Sequence, residues 1–289
     1  MANEVPPGLL ELLCCPVGRD RLHAEDGHLV SVSLRRYPVR DGIPVLLPSG
    51  AEDAALASIV EAFRNRASSY YADNYAENRN PSRARRLQIV AKLLAEHSRP
   101  GERLLDVGAG PAILAEIARE LSLDYVALDP SLENLLEGRE RVGDLSGVVG
   151  TATALPIRDR SFDMVVALGC LEYVAELGRA LSEICRVLPP DGVLLASFAN
   201  AHNLRRRFDE AVTHRLWRLK ERVSRRGRSI YRRHLWSEDD VRHLLAELGF
   251  SVQWIIDIDA RVTPQNPGAS TASEFLVVAR KAYPGSAPA

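Results

Sequence analysis

Two carboxylates and two glycines stand at the ends of two apolar runs, and their spacing is that of a nucleotide pocket. Residues 104–112 read LLDVGAGPA: Asp106 closes an apolar run, and Gly108 and Gly110 follow, spaced by one residue. The run reads as a buried parallel strand and the glycines as a tight turn with no Cβ to hold a ligand off the backbone. Ala112 to Leu121 reads as the next helix, its free amide groups aimed at that ligand. Asp129 ends a second apolar run, Leu123 to Leu128, at the distance of one strand–helix–strand step. A carboxylate there can accept two hydrogen bonds from the vicinal hydroxyls of a ribose. A dinucleotide fingerprint would need glycine where the chain has Ile113, and a P-loop would need Gly-Lys-Ser/Thr, which is absent.

What remains, D-x-G-x-G-x-A from Asp106 to Ala112, resembles motif I of class I S-adenosylmethionine (SAM) methyltransferases of the ubiquinone/menaquinone-biosynthesis type, with Ala112 in place of the third glycine. Two further blocks, GTATALPIRDRSFDMVVALGCLEYV from Gly150 and ALSEICRVLPPDGVLLAS from Ala180, resemble the adenine-contact, fourth-strand and fifth-strand blocks of that family. The resemblance implies an α/β fold: a Rossmann-like seven-stranded sheet whose last strand is antiparallel. It implies SAM as cofactor and S-adenosylhomocysteine (SAH) as product. Asp106, Gly108, Ala109 and Gly110 would form the turn, and Asp129 and Pro130 would hold the ribose. Thr151 and Ala152 would meet the adenine, with a threonine oxygen where many members carry an aspartate; Leu168 and Gly169 would line the methionine side. Upstream, Tyr70, Tyr71 and Tyr75 suit a lid over the pocket, and Arg83 and Arg86 suit the SAM carboxylate.

Methyl transfer from a sulfonium is an in-line displacement, so the protein must align the acceptor, exclude water and in some cases remove a proton. His202 beyond the fifth strand is the first candidate base, with Glu172 and Tyr173 after the fourth strand and His234 as rivals. Cys170, flanked by an apolar strand, reads as structural rather than nucleophilic. The site after strand four reads LGCLEY, not the [DNS]-P-P-[YF] tetrapeptide of adenine and glutamine amine methylation.

The elements that must position these residues divide the chain into a β-rich module at 1–50, a helical cap or linker at 51–98, the core at 99–282 and a tail at 283–289. The core carries a helical insertion, 201–235, after strand five. The module, GLLELLCCPVGRDRL…RRYPVRDGIPVLLP, resembles zinc-ribbon-like domains fused to, or activating, some methyltransferases. Cys15-Pro16-Val17-Gly18 keeps one thiol of the first knuckle and the second offers only Ser31 and Ser33, so no metal is expected; His23 and His28 read as exposed loop histidines.

From Arg205 to Arg233 eleven arginines and one lysine face three acids, a local formal charge of +9 in a chain whose total is −1. That stretch fits an anionic small substrate, an anionic lipid surface or RNA phosphates. No run reaches the apolar length of a bilayer span, and the first residues lack a signal peptide's basic region and cleavage site, which with four scattered cysteines implies a cytoplasmic chain. The expected function is methyl transfer from SAM to an O or N atom of a small-molecule, lipid or sugar-type metabolite. An rRNA or tRNA base methyltransferase, then a non-catalytic SAM-binding scaffold, are the alternatives.

Overall fold

The computed structural model describes residues 4–48, 81–202, 234–258 and 274–283, with the side chains of 81–83 not described. The cap segment with Tyr70, Tyr71 and Tyr75, most of the basic insertion and the tail beyond 283 lie outside the described residues, as does the side chain of Arg83.

Seven strands make the central sheet: β5 (Arg103–Val107), β6 (Asp124–Asp129), β7 (Ser146–Val149), β8 (Met164–Ala167), β9 (Val193–Ala199), β10 (Phe250–Asp257) and β11 (Glu274–Lys281). Their order is β10-β11-β9-β8-β5-β6-β7. The pairs among β5 to β9 are parallel, and β11 runs antiparallel to both β9 and β10. This is the expected sheet. The four residues of β8 and all seven of β9 are buried, the pattern of parallel strands covered on both faces.

Helices α2 (Pro81–His97), α3 (Ala115–Glu120), α4 (Leu132–Val142), α5 (Leu177–Val187) and α6 (Glu238–Glu247) accompany the sheet. Ser237 caps α6 as its sequence predicts, accepting from the Asp240 amide while the Asp240 carboxylate accepts from the Ser237 amide. One boundary differs. Helix α3 begins at Ala115, three residues later than Ala112, because Ala112 has a φ of +52° and cannot belong to a right-handed helix.

The N-terminal module comprises α1 (Pro7–Leu12) and the antiparallel sheet β1 (Leu22–Glu25), β2 (His28–Ser31), β3 (Arg36–Arg40) and β4 (Ile43–Pro44). His23 and His28 lie on β1 and β2, not in loops. Leu9, Leu12, Leu29, Tyr37 and Leu46 of the module share one apolar cluster with Leu155, Phe162 and Leu181 of the core. Backbone bonds continue the union: Leu46 N donates to Val149 O at 2.8 Å, Cys14 N to Pro156 O at 3.0 Å and Arg158 N to Leu12 O at 2.9 Å. Val45 bridges Val149 in parallel, so the module covers the edge that β7 would otherwise expose.

Arg186 ties the resembling blocks to each other. It donates to Leu155 O and Ile157 O and pairs with Glu183 and Asp159, while Glu183 also receives Arg19 of the module at 2.7 Å. Zinc does not fit the module. The Cys15 thiol lies 3.1 Å from Tyr37 Oη and accepts from Gly18 N at 3.3 Å, and Asp20 Oδ1 lies 2.5 Å from where a Cβ on Gly18 would stand. Ser31 and Ser33 bond one another at 3.0 Å, and Asp20 accepts from Ser33 N at 2.8 Å. Hydrogen bonds occupy the positions that four metal ligands would need.

Candidate active site

Because β5 to β9 are parallel, their carboxyl ends share one edge of the sheet, where open α/β folds bind ligands. Asp106 lies one residue before the end of β5, Asp129 is the last residue of β6, Thr151 and Ala152 follow β7, Leu168 and Gly169 follow β8, and His202 follows β9. The fold therefore brings the sequence-derived candidates to one edge, apart from Tyr75 and the Arg83 side chain, which fall outside the described residues.

The turn is knit from within. Gly108 N and Ala109 N donate to Leu128 O at 2.7 and 3.1 Å, and Gly110 N donates to Asp129 Oδ2 at 2.8 Å. All three amides are used to fasten β5's turn to β6. Gly108 has a φ of +71°, and a Cβ on it would stand 2.4 Å from Cys170 Cβ. Cys170 is thus the floor of the turn, its thiol donating to Val107 O at 3.1 Å and pushed well above its ordinary pKa by burial.

Asp129 is buried with three protein donors: Gly110 N on Oδ2, and Ser131 N (2.9 Å) and Asn134 Nδ2 (3.1 Å) on Oδ1. Burial raises its pKa against these bonds. A carboxylate has about four acceptor sites. Among the described residues one remains open, on Oδ2. Asp106 is buried on the sheet face and accepts from Tyr125 Oη at 2.7 Å. Burial pushes its carboxyl up to about 7, with the Tyr125 bond opposing and Asp129 adding to the rise.

At the end of β7, Gly150 N reaches back to Asp129 O at 3.2 Å, and the next side chain, Thr151, places a buried Oγ1 without a partner among the described residues. At the end of β8, Gly169 (φ +65°) donates to Ser197 Oγ at 2.8 Å. A Cβ on Gly169 would lie 3.6 Å from a guanidinium nitrogen of Arg86, which also pairs with Glu274 at 2.9 Å. Glu172 is buried in the 3-10 turn Leu171–Tyr173, and Tyr173 is half-buried. His202 is exposed; its amide donates to Asn200 Oδ1 at 2.8 Å, and it is among the groups that lower the pKa of Asp240.

Several residues that build the site carried little signal in the sequence. Tyr125 lies inside the apolar run of β6, with nothing in its spacing to mark a role. Asn134 had a cue, because Ser131 in Asp-Pro-Ser is a helix N-cap and accepts from the Asn134 amide. Gly138 and Arg141 of α4 support the turn from behind: a Cβ on Gly138 would lie 2.9 Å from Pro111 O, and Arg141 donates to Ala112 O at 2.8 Å.

Residues 105–196, from β5 into β9, match the methyltransferase-domain family. The chain carries a class I methyltransferase core. It is 36% identical over 160 residues to a demethylmenaquinone methyltransferase of Renibacterium salmoninarum, 55% of this chain and 66% of that protein. It is 33% identical over 151 residues to a ubiquinone/menaquinone biosynthesis C-methyltransferase of Methylobacterium nodulans, 50% of this chain and 60% of that protein. The alignments with three demethylmenaquinone methyltransferases span 66, 47 and 40% of their lengths. Among solved structures, the methyltransferase core resembles magnesium protoporphyrin IX methyltransferase of Synechocystis PCC 6803 with bound SAH (TM-score 0.57, 18% identity, 79% of this chain and 100% of that one). It also resembles the [4+2]-cyclase SpnF (TM-score 0.54, 21% identity, 84% and 99%). That a cyclase shares the architecture shows that the sheet alone does not name a reaction. Among the described residues no helix is long and apolar enough to cross a membrane.

Proposed function

We propose that the chain is a SAM-dependent methyltransferase acting on a small quinol-type acceptor in the cytoplasm. The observation that carries the reading is the buried, unpartnered Thr151 Oγ1 beside the Asp129–Gly110 clasp: an acceptor atom held out of water that the adenine amino group of SAM would satisfy. The free acceptor site on Asp129 Oδ2 fits a ribose hydroxyl. Asp106, driven toward neutrality by burial, would ionise beside a cationic ligand. SAM, when bound, supplies an electrophilic methyl group to a nucleophile on the acceptor. The protein's part is to hold that acceptor in line and keep water out. Glu172, buried at the end of β8, suits proton removal from a phenol better than the exposed His202. The four free cysteines favour a reducing compartment. The quinol class rests on the named relatives. We also retain the division into a module at 1–50, a cap at 51–98, a core at 99–282 with the insertion 201–235, and a tail at 283–289.

Titration calorimetry with SAM and SAH tests the cofactor reading. Thr151→Val, which keeps the shape and removes the oxygen, should weaken binding about five- to tenfold, and Asp129→Ala should abolish it. Labelled-methyl transfer to a reduced, short-chain 2-prenyl-1,4-naphthoquinone tests the reaction. No binding of SAM or SAH by the wild-type protein would refute the proposal.

A further inference from the structure

Two more buried polar atoms lack a partner among the described residues, and both stand at the same edge of the sheet. They are His234 Nε2 and Trp236 Nε1, whose rings lie 5.8 Å apart. An unpaired buried polar nitrogen is costly, so two side by side need an explanation. Packing supplies part of one, because the indole rests against the main apolar cluster. It does not explain the two nitrogens.

Their position follows from strand geometry. Val193 N donates to Asp163 O just before β8, while Gly192 O accepts from Lys281 N of β11, so the odd-numbered residues of β9 turn their backbone groups toward β8 and the even-numbered ones toward β11. The β9 pairings with β8, as far as Ala196, and with β11, as far as Ala199, contain no register shift. Ala199 O and Ala201 N therefore face the β8 side, and both bond Trp236, at 2.9 Å each. Trp236 takes β8's place alongside β9 once β8 has ended at Ala167. It stands in line with β8, past the carboxyl end from which Gly169, Cys170 and Glu172 emerge. The neighbouring strand on the far side of β8 is β5, whose turn the side chain of Cys170 supports. The β5–β8 junction is where strand order reverses, the usual position of a ligand in this kind of sheet.

We infer that His234 and Trp236 recognise the methyl acceptor, with the indole N–H donating to an oxygen of a quinol-type ring and the imidazole Nε2 bonding the same ring's oxygen substituents. The chemistry limits the partner: an indole nitrogen is a donor only, so whatever satisfies it must present an acceptor, and a quinol or phenolate oxygen on a flat ring does so. The rings also offer aromatic faces at the site. These are specificity residues, acting on binding rather than on the transferred methyl. The inference rests on the proposed methyltransferase reading.

The test uses Trp236→Phe and His234→Phe, which keep a ring and remove the nitrogen, in the full chain. Calorimetry with SAH comes first, and both variants should bind it within about twofold of wild type, which also establishes that they fold. With SAH bound, the reduced 2-prenyl-1,4-naphthoquinone is titrated in. Trp236→Phe should weaken its binding about five- to tenfold and raise its KM with kcat little changed. In 15N-labelled wild-type protein, the indole resonance missing from Trp236→Phe should move downfield on titration. Naphthoquinol binding that both variants leave unchanged, or an indole resonance that does not move while the ligand binds, would overturn the inference and leave the methyltransferase reading standing. SAH binding with no naphthoquinol binding would overturn it together with the quinol class. Failure of wild type to bind SAH is the separate result that removes the function on which it rests.

Discussion

Gly138→Ala sets two effects of known sign against each other at the back of the cofactor turn. Gly138 lies inside α4, where replacing glycine with alanine normally stabilises by ~1 kcal/mol. Here the new Cβ would stand 2.9 Å from both the carbonyl carbon and oxygen of Pro111 and 3.0 Å from Ala112 Cβ. Those are backbone atoms and a short side chain, so no flexible group can swing aside. The turn cannot recede freely either, because Arg141 grips Pro111 O and Ala112 O at 3.2 and 2.8 Å and pairs with Glu116 at 2.9 Å. Overpacking of this kind costs about 1–3 kcal/mol. Offset by the helix gain, the net should be a loss of up to about 2 kcal/mol, or a fall in Tm of up to roughly 8 °C at about 2–4 °C per kcal/mol. Because relief displaces the turn, SAH affinity by titration calorimetry should fall as well. Gly178→Ala in α5, with nothing within 4 Å of its Cβ position, is the control and should be neutral or stabilising. If Gly138→Ala raised Tm as the control does, with SAH affinity intact, the close packing of α4 on the turn would be refuted.

Asp106 makes stability depend on pH in a definite direction. Its folded pKa is raised to about 7 from 3.8, so its contribution is fully present below about 3.8 and is lost as pH rises through 7; the ceiling is ~4 kcal/mol. Asp106→Asn should flatten the decline in denaturant-melt stability between pH 5 and 8, and an unchanged slope would exclude this group as its source. Arg186→Leu leaves buried Glu183 with Leu155 N and a half-exposed Arg19, and should cost about 3–5 kcal/mol in the same melts; a loss under about 1 kcal/mol would show that the network does not bind the module and core blocks together. At pH 7.5 the Cys170 thiol should resist iodoacetamide in the native protein, since burial disfavours its thiolate. Peptide mass spectrometry reads this directly, and rapid labelling with the fold intact would contradict the raised pKa of the half-buried thiol beneath Gly108.

How much of this was legible depends on whether a residue's role is local. Asp129 stands out only because it pairs with the upstream glycine turn at the distance of one strand–helix–strand step, and Ser237 because capping is settled within four residues. The seven-stranded sheet with its last strand antiparallel followed from the family resemblance of the blocks. Tyr125 did not show, since an aromatic in a strand suits any core, and only the pairing of β5 with β6 brings its hydroxyl to Asp106. The docking of the module was hidden for the same reason: Val45 and Leu46 belong to a run that would serve any strand, and Val149 is 104 and 103 residues away in the chain. The sequence reveals the turn's glycines but not that Leu128 O and Asp129 Oδ2 use their N–H groups, which only the pairing of β5 with β6 brings about.

Ala112 shows how a departure from a motif becomes intelligible once its neighbour across space is known. The family resemblance has glycine there, and the chain instead holds an alanine at a φ of +52°, a conformation that costs an ordinary residue roughly 1 kcal/mol. Its Cβ points at Gly138, which has none to return; the two positions share room for one methyl group. Ala112→Gly should therefore relieve the backbone cost but leave a small gap against α4. In a Gly138→Ala background it should do more, removing the 3.0 Å contact while the 2.9 Å approach to Pro111 remains. A double-mutant cycle measured by denaturant melts should give a favourable coupling of about 0.5–2 kcal/mol, with SAH affinity recovering only in part. Simple additivity within ~0.3 kcal/mol would mean that the two side chains do not share the space, and that the glycine in α4 has some other cause.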